Sequence, residues 1–97
     1  MFKNNRYMTR GVQQQIPNYL QNMMWYMIDT MQTENKDYIQ VFHLSQQEEK
    51  QKILHKQEIP PFSQEVLVDS NDFPIVIQKV YVIDDETHTT MLLSEEY

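Results

Sequence analysis

The sequence predicts an α+β domain, with one long amphipathic helix packed on a mostly antiparallel sheet of five or six strands. Three observations carry that expectation. Only one long stretch, Ile16 to Thr33, has helical periodicity. The chain after it breaks into short runs of alternating or β-branched residues. Short polar turns join those runs, and no helical segments alternate with them as βα units would require.

Taken in order, Met1 to Asn5 reads as a loose start. Arg6 to Val12 mixes aromatic, β-branched and basic residues and reads as a short strand or extended arm. Gly11 is the only glycine. It is expected where the backbone needs positive φ or where another part of the chain approaches closely. A single glycine excludes the usual phosphate loop, the dinucleotide fingerprint and the G-x-S-x-G elbow.

At 100° per residue, Ile16, Leu20, Met23, Met24, Met27, Ile28 and Met31 share one helix face. Pro17 suits the first turn, where its missing N–H is no loss. Tyr19 and Tyr26 widen the apolar arc to roughly 200°, more than one core-facing stripe requires. Asn18, Gln21, Asn22, Asp29 and Gln32 form the other face, with Trp25 in its middle. A tryptophan there is either covered by the N-terminal arm or C-terminal tail, or offered to a second copy or another partner. Methionines at helical spacing are more often core than binding surface.

Asp37 to Ser45 and Gln51 to Glu58 read as an antiparallel hairpin around the polar turn QQEEK. The IPPF segment, Ile59 to Phe62, interrupts the ladder because proline cannot donate. Glu65 to Asp69 is a short third strand, and SNDFP is a turn. Ile75 to Asp84 is apolar on both faces and is placed centrally. Asp85 to Thr87 turns, His88 to Leu93 returns as the last strand, and 94–97 is an exposed acidic tail. The whole chain, 1–97, is one domain.

Composition narrows the function. There is no cysteine, hence no disulfide and no thiolate chemistry. The start has no apolar signal region and no run is long enough to span a membrane, so a cytoplasmic setting without membrane contact is expected. The net charge is −6, and the 14 acids all follow residue 28. Such an acidic body argues against direct nucleic-acid binding and permits a basic protein partner.

Candidate chemistry is sparse. If the first hairpin has an even register, His43 and His55 share a face, and a metal would need His88 or an acid as third ligand. Neither H-E-x-x-H nor a helical histidine pair is present. Asp84, Asp85 and Glu86 form an acidic triple, without the spacing or glycine of a calcium loop. No catalytic residue, metal or cofactor is expected. Arg6 and Arg10 flank a basic-aromatic arm around Tyr7, and pairing with the chain's own acids is the plainer reading.

Thr9 to Val12 (TRGV), Ile16–Pro17, Trp25, Asp37 to Phe42 (DYIQVF) and His55 to Pro61 (HKQEIPP) together carry a resemblance. The chain resembles a small family of uncharacterised proteins of Firmicutes and their phages, known as a domain of unknown function. The resemblance spans nearly the whole chain. It implies a Gram-positive bacterial or phage origin and a cytosolic setting, and it brings no active site.

The expected function is therefore a non-enzymatic interaction module with a protein partner, acting through the face around Trp25, with a homodimer as one form. Its site residues are Trp25, Asp29, Arg6, Arg10, Asp84, Asp85 and Glu86. The alternative is a phage or mobile-element inhibitor of a nucleic-acid-binding protein, such as an anti-CRISPR protein blocking a Cas nuclease. Asp84, Asp85, Glu86, Glu95 and Glu96 would then stand where phosphates sit. A small metal-dependent enzyme using the histidines is a distant third.

Overall fold

The strands of the computed structural model, which describes residues 2–97, are β1 (Asn5–Met8), β2 (Ile39–Gln47), β3 (Lys50–Gln57), β4 (Phe62–Val68), β5 (Gln78–Asp84) and β6 (His88–Leu93). They form one six-stranded sheet in the order β1-β6-β5-β2-β3-β4. β1 runs parallel to β6, and every other pairing is antiparallel. Two helices, α1 (Arg10–Gln15) and α2 (Asn18–Asp29), precede β2, and a 3-10 turn spans Ser94–Glu96.

This overturns the expected architecture. The described residues are mostly sheet, 43% strand against 22% helix, and only one helix among them reaches seven residues. The sheet is mixed because the chain enters as β1 and lies beside the last strand. The expected helix over Ile16–Thr33 is a twelve-residue helix preceded by a separate short one. Ile16 is extended and caps the end of α1, and Pro17 is the N-cap of α2, outside its first turn. Proline cannot supply the N–H that a continuous helix would need there, and it pushes its predecessor out of helical backbone. At the far end, the Thr30 hydroxyl donates to the Tyr26 carbonyl (2.8 Å) at the C-cap.

The apolar arc is also narrower than the periodicity implied. α2 buries Leu20, Gln21, Met24, Met27 and Ile28, while Tyr26 is 62% exposed. These residues cover one face of the sheet. Phe42, Leu44, Ile53, Val80, Val82, Met91 and Leu93 meet them there, together with Val12, Ile16 and Phe2. Side chains alternate across each strand, so the intervening residues all point to the other face.

Four glutamines are part of this architecture. Gln51 is buried and binds the β4–β5 link from both sides. Its Nε2 donates to the carbonyls of Ser45 (2.9 Å) and Val76 (3.0 Å), and its Oε1 accepts from the Val76 N–H (2.8 Å). That link must cross from the sheet's edge to its centre. Ile75–Ile77 are spent on the crossing, which is why β5 starts at Gln78 and not at Ile75. Gln40 and Gln57 are joined (2.8 Å), and Gln57 ties the segment before β2 to the turn after β3 through Asp37, Asn35 and Pro60. Gln21 caps the Ile16 carbonyl at 2.7 Å. Each of these amide nitrogens has an acceptor, and the oxygens of Gln40, Gln51 and Gln57 have donors, which is the condition for burying an amide without a large penalty.

The chain ends are tied in. Phe2 is fully buried, and its N–H donates to Asp84 Oδ2 at 2.6 Å. The loose start expected for 1–5 does not describe residues 2–5, and Met1 lies outside the described residues. The Glu96 carboxylate accepts from the Thr9 hydroxyl (2.6 Å), the Leu93 N–H (2.8 Å) and the Gly11 N–H (3.3 Å). Gly11 does not have positive φ. Of its two expected roles, close approach is the one found: a Cβ there would stand 2.7 Å from Glu96 Oε2.

Candidate interaction surface

The predicted site residues fall into three separate places. Arg6, Trp25 and Asp29 come together. The Arg6 guanidinium lies 4.7 Å from the centre of the Trp25 ring, and its two terminal nitrogens hold Asp29, Nη1 at 3.2 Å from Oδ2 and Nη2 on Oδ1. Nη2 also donates to the Phe2 carbonyl (3.0 Å). Trp25 is half-buried and packs against the core. Arg6 of β1 thus covers part of this ring from within the chain. Arg10 opens α1, away from that group, and is exposed.

The acidic triple divides. Asp84 is 4% exposed and faces the core. It accepts from the backbone of Phe2 and Glu86 and from the Asn4 amide (3.1 Å). Burial pushes its carboxyl up, but these donors outweigh burial and hold it below the usual carboxylate range. Asp85 closes its own turn, accepting from the backbone of Thr87 and His88 and from the Thr87 hydroxyl, and lies 3.3 Å from the His88 ring. Glu86 is exposed at φ 79°. Glu95 is exposed, and Glu96 is taken up by Thr9 and Leu93.

The histidines do not converge. The hairpin register sets Phe42 opposite His55 and Leu54 opposite His43, so the two histidines lie on opposite faces. His55 is fully buried, stacked on Phe42 with ring centres 4.3 Å apart. Gln40 gives both amide hydrogens to the Asp37 carbonyl and Gln57, so its oxygen must accept from His55 Nε2 (2.6 Å). Nδ1 then accepts from Gln64 (2.9 Å). Both ring nitrogens are used, and burial, with Lys36 nearby, pushes the imidazole down to about 4. Such a histidine has no lone pair for a metal or substrate. Among the described residues, no three histidines, aspartates or glutamates are placed to hold a metal ion.

The surface missed by sequence reasoning is the other face of the sheet. The helices cover one side only. Ile39, Val41, Ile83, Tyr81 and Leu92 stand in register on the uncovered side, all partly exposed. Tyr97 reaches onto it and meets Tyr81 edge-on, with ring centres 5.4 Å apart. A cleft of about 440 Å³ opens among Tyr38, Val41, Ile59, Lys79, Tyr81 and Tyr97. Ile59 at 76% and Tyr97 at 73% exposure are its rim.

The charges on this face run against the rest of the chain. Lys50, Lys52, Lys56 and Lys79 emerge here from the strands, against Glu65. Lys50 lies 3.8 Å from Asp69 and Lys52 lies 3.3 Å from Glu65. Among the described residues, neither Lys56 nor Lys79 has a carboxylate within 4.0 Å. His43 lies between them, and its imidazole is held below its usual value by partial burial and then by Lys79 and Lys56. The alternation of Val41, His43 and Lys56 with buried neighbours was visible in the sequence. The strand order that gathers them was not.

Among the described residues, no helix is long and apolar enough to cross a membrane. Comparison with curated proteins finds no match. A crystal structure of a protein of unknown function from Enterococcus faecalis is similar in fold, with a TM-score of 0.79 and 22% identity over 97% of this chain and 91% of that one. A family profile described as "Staphylococcal protein of unknown function (DUF960)" matches residues 5–96, from the first strand to the end of the 3-10 turn. The chain belongs to that uncharacterised Firmicutes family.

Proposed function

We propose that this chain is a non-enzymatic binding module that docks an acidic segment of another protein on the uncovered face of its sheet. The observation that carries the reading is the pair Lys56 and Lys79, neither with a carboxylate within 4.0 Å among the described residues, on a partly apolar face of a chain whose net charge is −6. Complementary charge steers and selects a partner, and apolar contact holds it. A second copy docked face to face would set lysines against lysines, which is unfavourable. The acidic body repels nucleic acid at long range. The Trp25 face is a weaker candidate, because Arg6 and Asp29 satisfy it from within the chain. The inhibitor reading has fewer carboxylates to offer than the sequence implied, since Asp84 and Glu96 are engaged internally.

The test is zero-length carbodiimide cross-linking of the whole protein in a staphylococcal lysate, with the joined peptides sequenced. The expected result is Lys56 and Lys79 joined to aspartates or glutamates of one acidic protein segment. That product should vanish in Lys56→Glu/Lys79→Glu and persist in Trp25→Ala. A product unaffected by the charge reversal, or links running only between copies of this chain, would refute the reading.

A further inference from the structure

We infer that His43, Lys56 and Lys79 form a seat for one side-chain carboxylate, and that the adjoining cleft takes a bulky apolar side chain next to that acid in the partner. This rests on the docking reading above and assigns its chemistry.

The geometry comes from the register. His43 on β2 stands directly opposite Lys79 on β5, and Val41, two residues earlier, stands opposite Lys56 on β3. Two strand spacings and a two-residue offset put the lysine Cα atoms about 12 Å apart. The Lys79 ammonium lies 5.4 Å from the centre of the Tyr81 ring, beside the apolar slot, and a four-carbon stem lets each lysine reach a carboxylate seated between them, where His43 and Val41 form the floor. A depression of about 200 Å³ lies there, lined by Val41, His43, Lys56, Gln57, Glu58 and Lys79. It shares Val41, Glu58 and Lys79 with the larger cleft, so the polar seat and the apolar slot are contiguous. Tyr38, Ile59, Tyr81 and Tyr97 give the slot apolar walls suited to an aromatic or branched aliphatic group, while Asp37 and Glu58, also in its lining, disfavour a second acid there and leave the carboxylate to the lysine end. An acid and an apolar residue at neighbouring positions of one extended segment span the two sites.

The groups facing His43 decide how the seat responds to pH. β5 presents Lys79 and Tyr81, β3 presents Lys52 and Lys56, β4 presents Glu65 opposite Leu54, and Glu58 follows β3. Glu58 is not within 4.0 Å of either free ammonium, so it leaves the seat open. Without a ligand, partial burial and then the two lysines disfavour a positive charge on the imidazole. A bound carboxylate offsets the lysines' part of that cost, so binding takes up a proton and tightens as pH falls.

The test is a nuclear magnetic resonance titration of the full, nitrogen-15-labelled chain with the capped peptide acetyl-Glu-Phe-Glu-amide. Controls are acetyl-Gln-Phe-Gln-amide, inorganic phosphate and a short oligothymidylate. The expected result is perturbation of the Val41, His43, Lys56, Lys79 and Tyr81 amides by the Glu peptide, with binding about ten-fold weaker for the Gln peptide and for Lys56→Gln/Lys79→Gln. Binding should tighten several-fold between pH 7.5 and 5.5, and His43→Gln should abolish that gain. The amide spectrum of each variant reports its folding directly. Equal binding of the Gln peptide, or phosphate binding as tightly as the Glu peptide, overturns the paired seat. Tighter binding of the oligothymidylate overturns the protein partner in favour of nucleic acid. A Glu peptide that settles on this face beside Lys50 and Lys52 overturns the seat alone, whereas no perturbation anywhere on the face overturns the docking reading with it.

Discussion

Replacing Gly11 by alanine should destabilise this protein, and should do the opposite once Glu96 is gone. In the native chain a Cβ at residue 11 would lie 2.7 to 2.8 Å from the three outer atoms of the Glu96 carboxyl group. The carboxylate must then move, and in moving it leaves the Thr9 hydroxyl and the Leu93 N–H. Those bonds, the first exposed and the second part-buried, are charge-assisted, so losing them costs about 1–2 kcal/mol in all. Against this, alanine is favoured over glycine inside a helix by about 0.5–1 kcal/mol. Gly11→Ala alone should therefore lose roughly 1 kcal/mol. In a Glu96→Ala background no carboxylate is in the way, and the same change should gain about 0.5 kcal/mol, giving a coupling near 1.5 kcal/mol. Urea denaturation of the four proteins measures it, with midpoints compared at constant slope. Equal destabilisation by Gly11→Ala in both backgrounds would refute the reasoning, because the glycine would then be required by its own backbone and not by Glu96.

Two further outcomes follow from buried titratable groups. His55 is neutral when folded, with its imidazole pushed down to about 4 from an ordinary 6.5. The unfolded chain then binds more protons between those values, so stability should fall by roughly 3 kcal/mol as pH drops from 6.5 to 4. Urea unfolding across that range checks it, and a flat profile, or a His55 ring signal titrating near 6.5, would refute the buried neutral state. Asp84 behaves in the opposite sense: its carboxyl is held below the usual range, so its contribution is full at neutral pH and is lost as pH falls through its folded value. Asp84→Ala orphans the Phe2 and Glu86 N–H groups and should cost about 2–4 kcal/mol at pH 7 while flattening the acid limb below pH 4. An unchanged thermal midpoint at pH 7 would count against the anchor.

What the sequence disclosed was local. The β2–β3 hairpin, the turn at Asp85–Thr87 and the last strand could be read because alternation and turn chemistry act over a few residues. The family likeness could be read because its motifs are strings. The helix was overread because periodicity does not register where a chain stops being helical. Ile16 and Met31 satisfy the spacing and are buried, yet both lie outside α2. The parallel placement of β1 was not legible, since it depends on the first strand meeting the last.

The uncovered face was hidden for a deeper reason. A charge balance along the chain made residues 29–97 simply acidic, and it averaged two surfaces that the pleat separates. Lys56 and Lys79 lie 23 positions apart in sequence and on different strands, and only β2 running between β3 and β5 brings them near His43. The acids went elsewhere for physical reasons. Asp84 was drawn inward by three donors, Asp85 was spent on a turn, and Glu96 closed onto Thr9 and Leu93. Each such commitment removes a carboxylate that might have neutralised a lysine. The lysine surplus on the open sheet is thus the counterpart of the acids that hold the chain ends and turns in place.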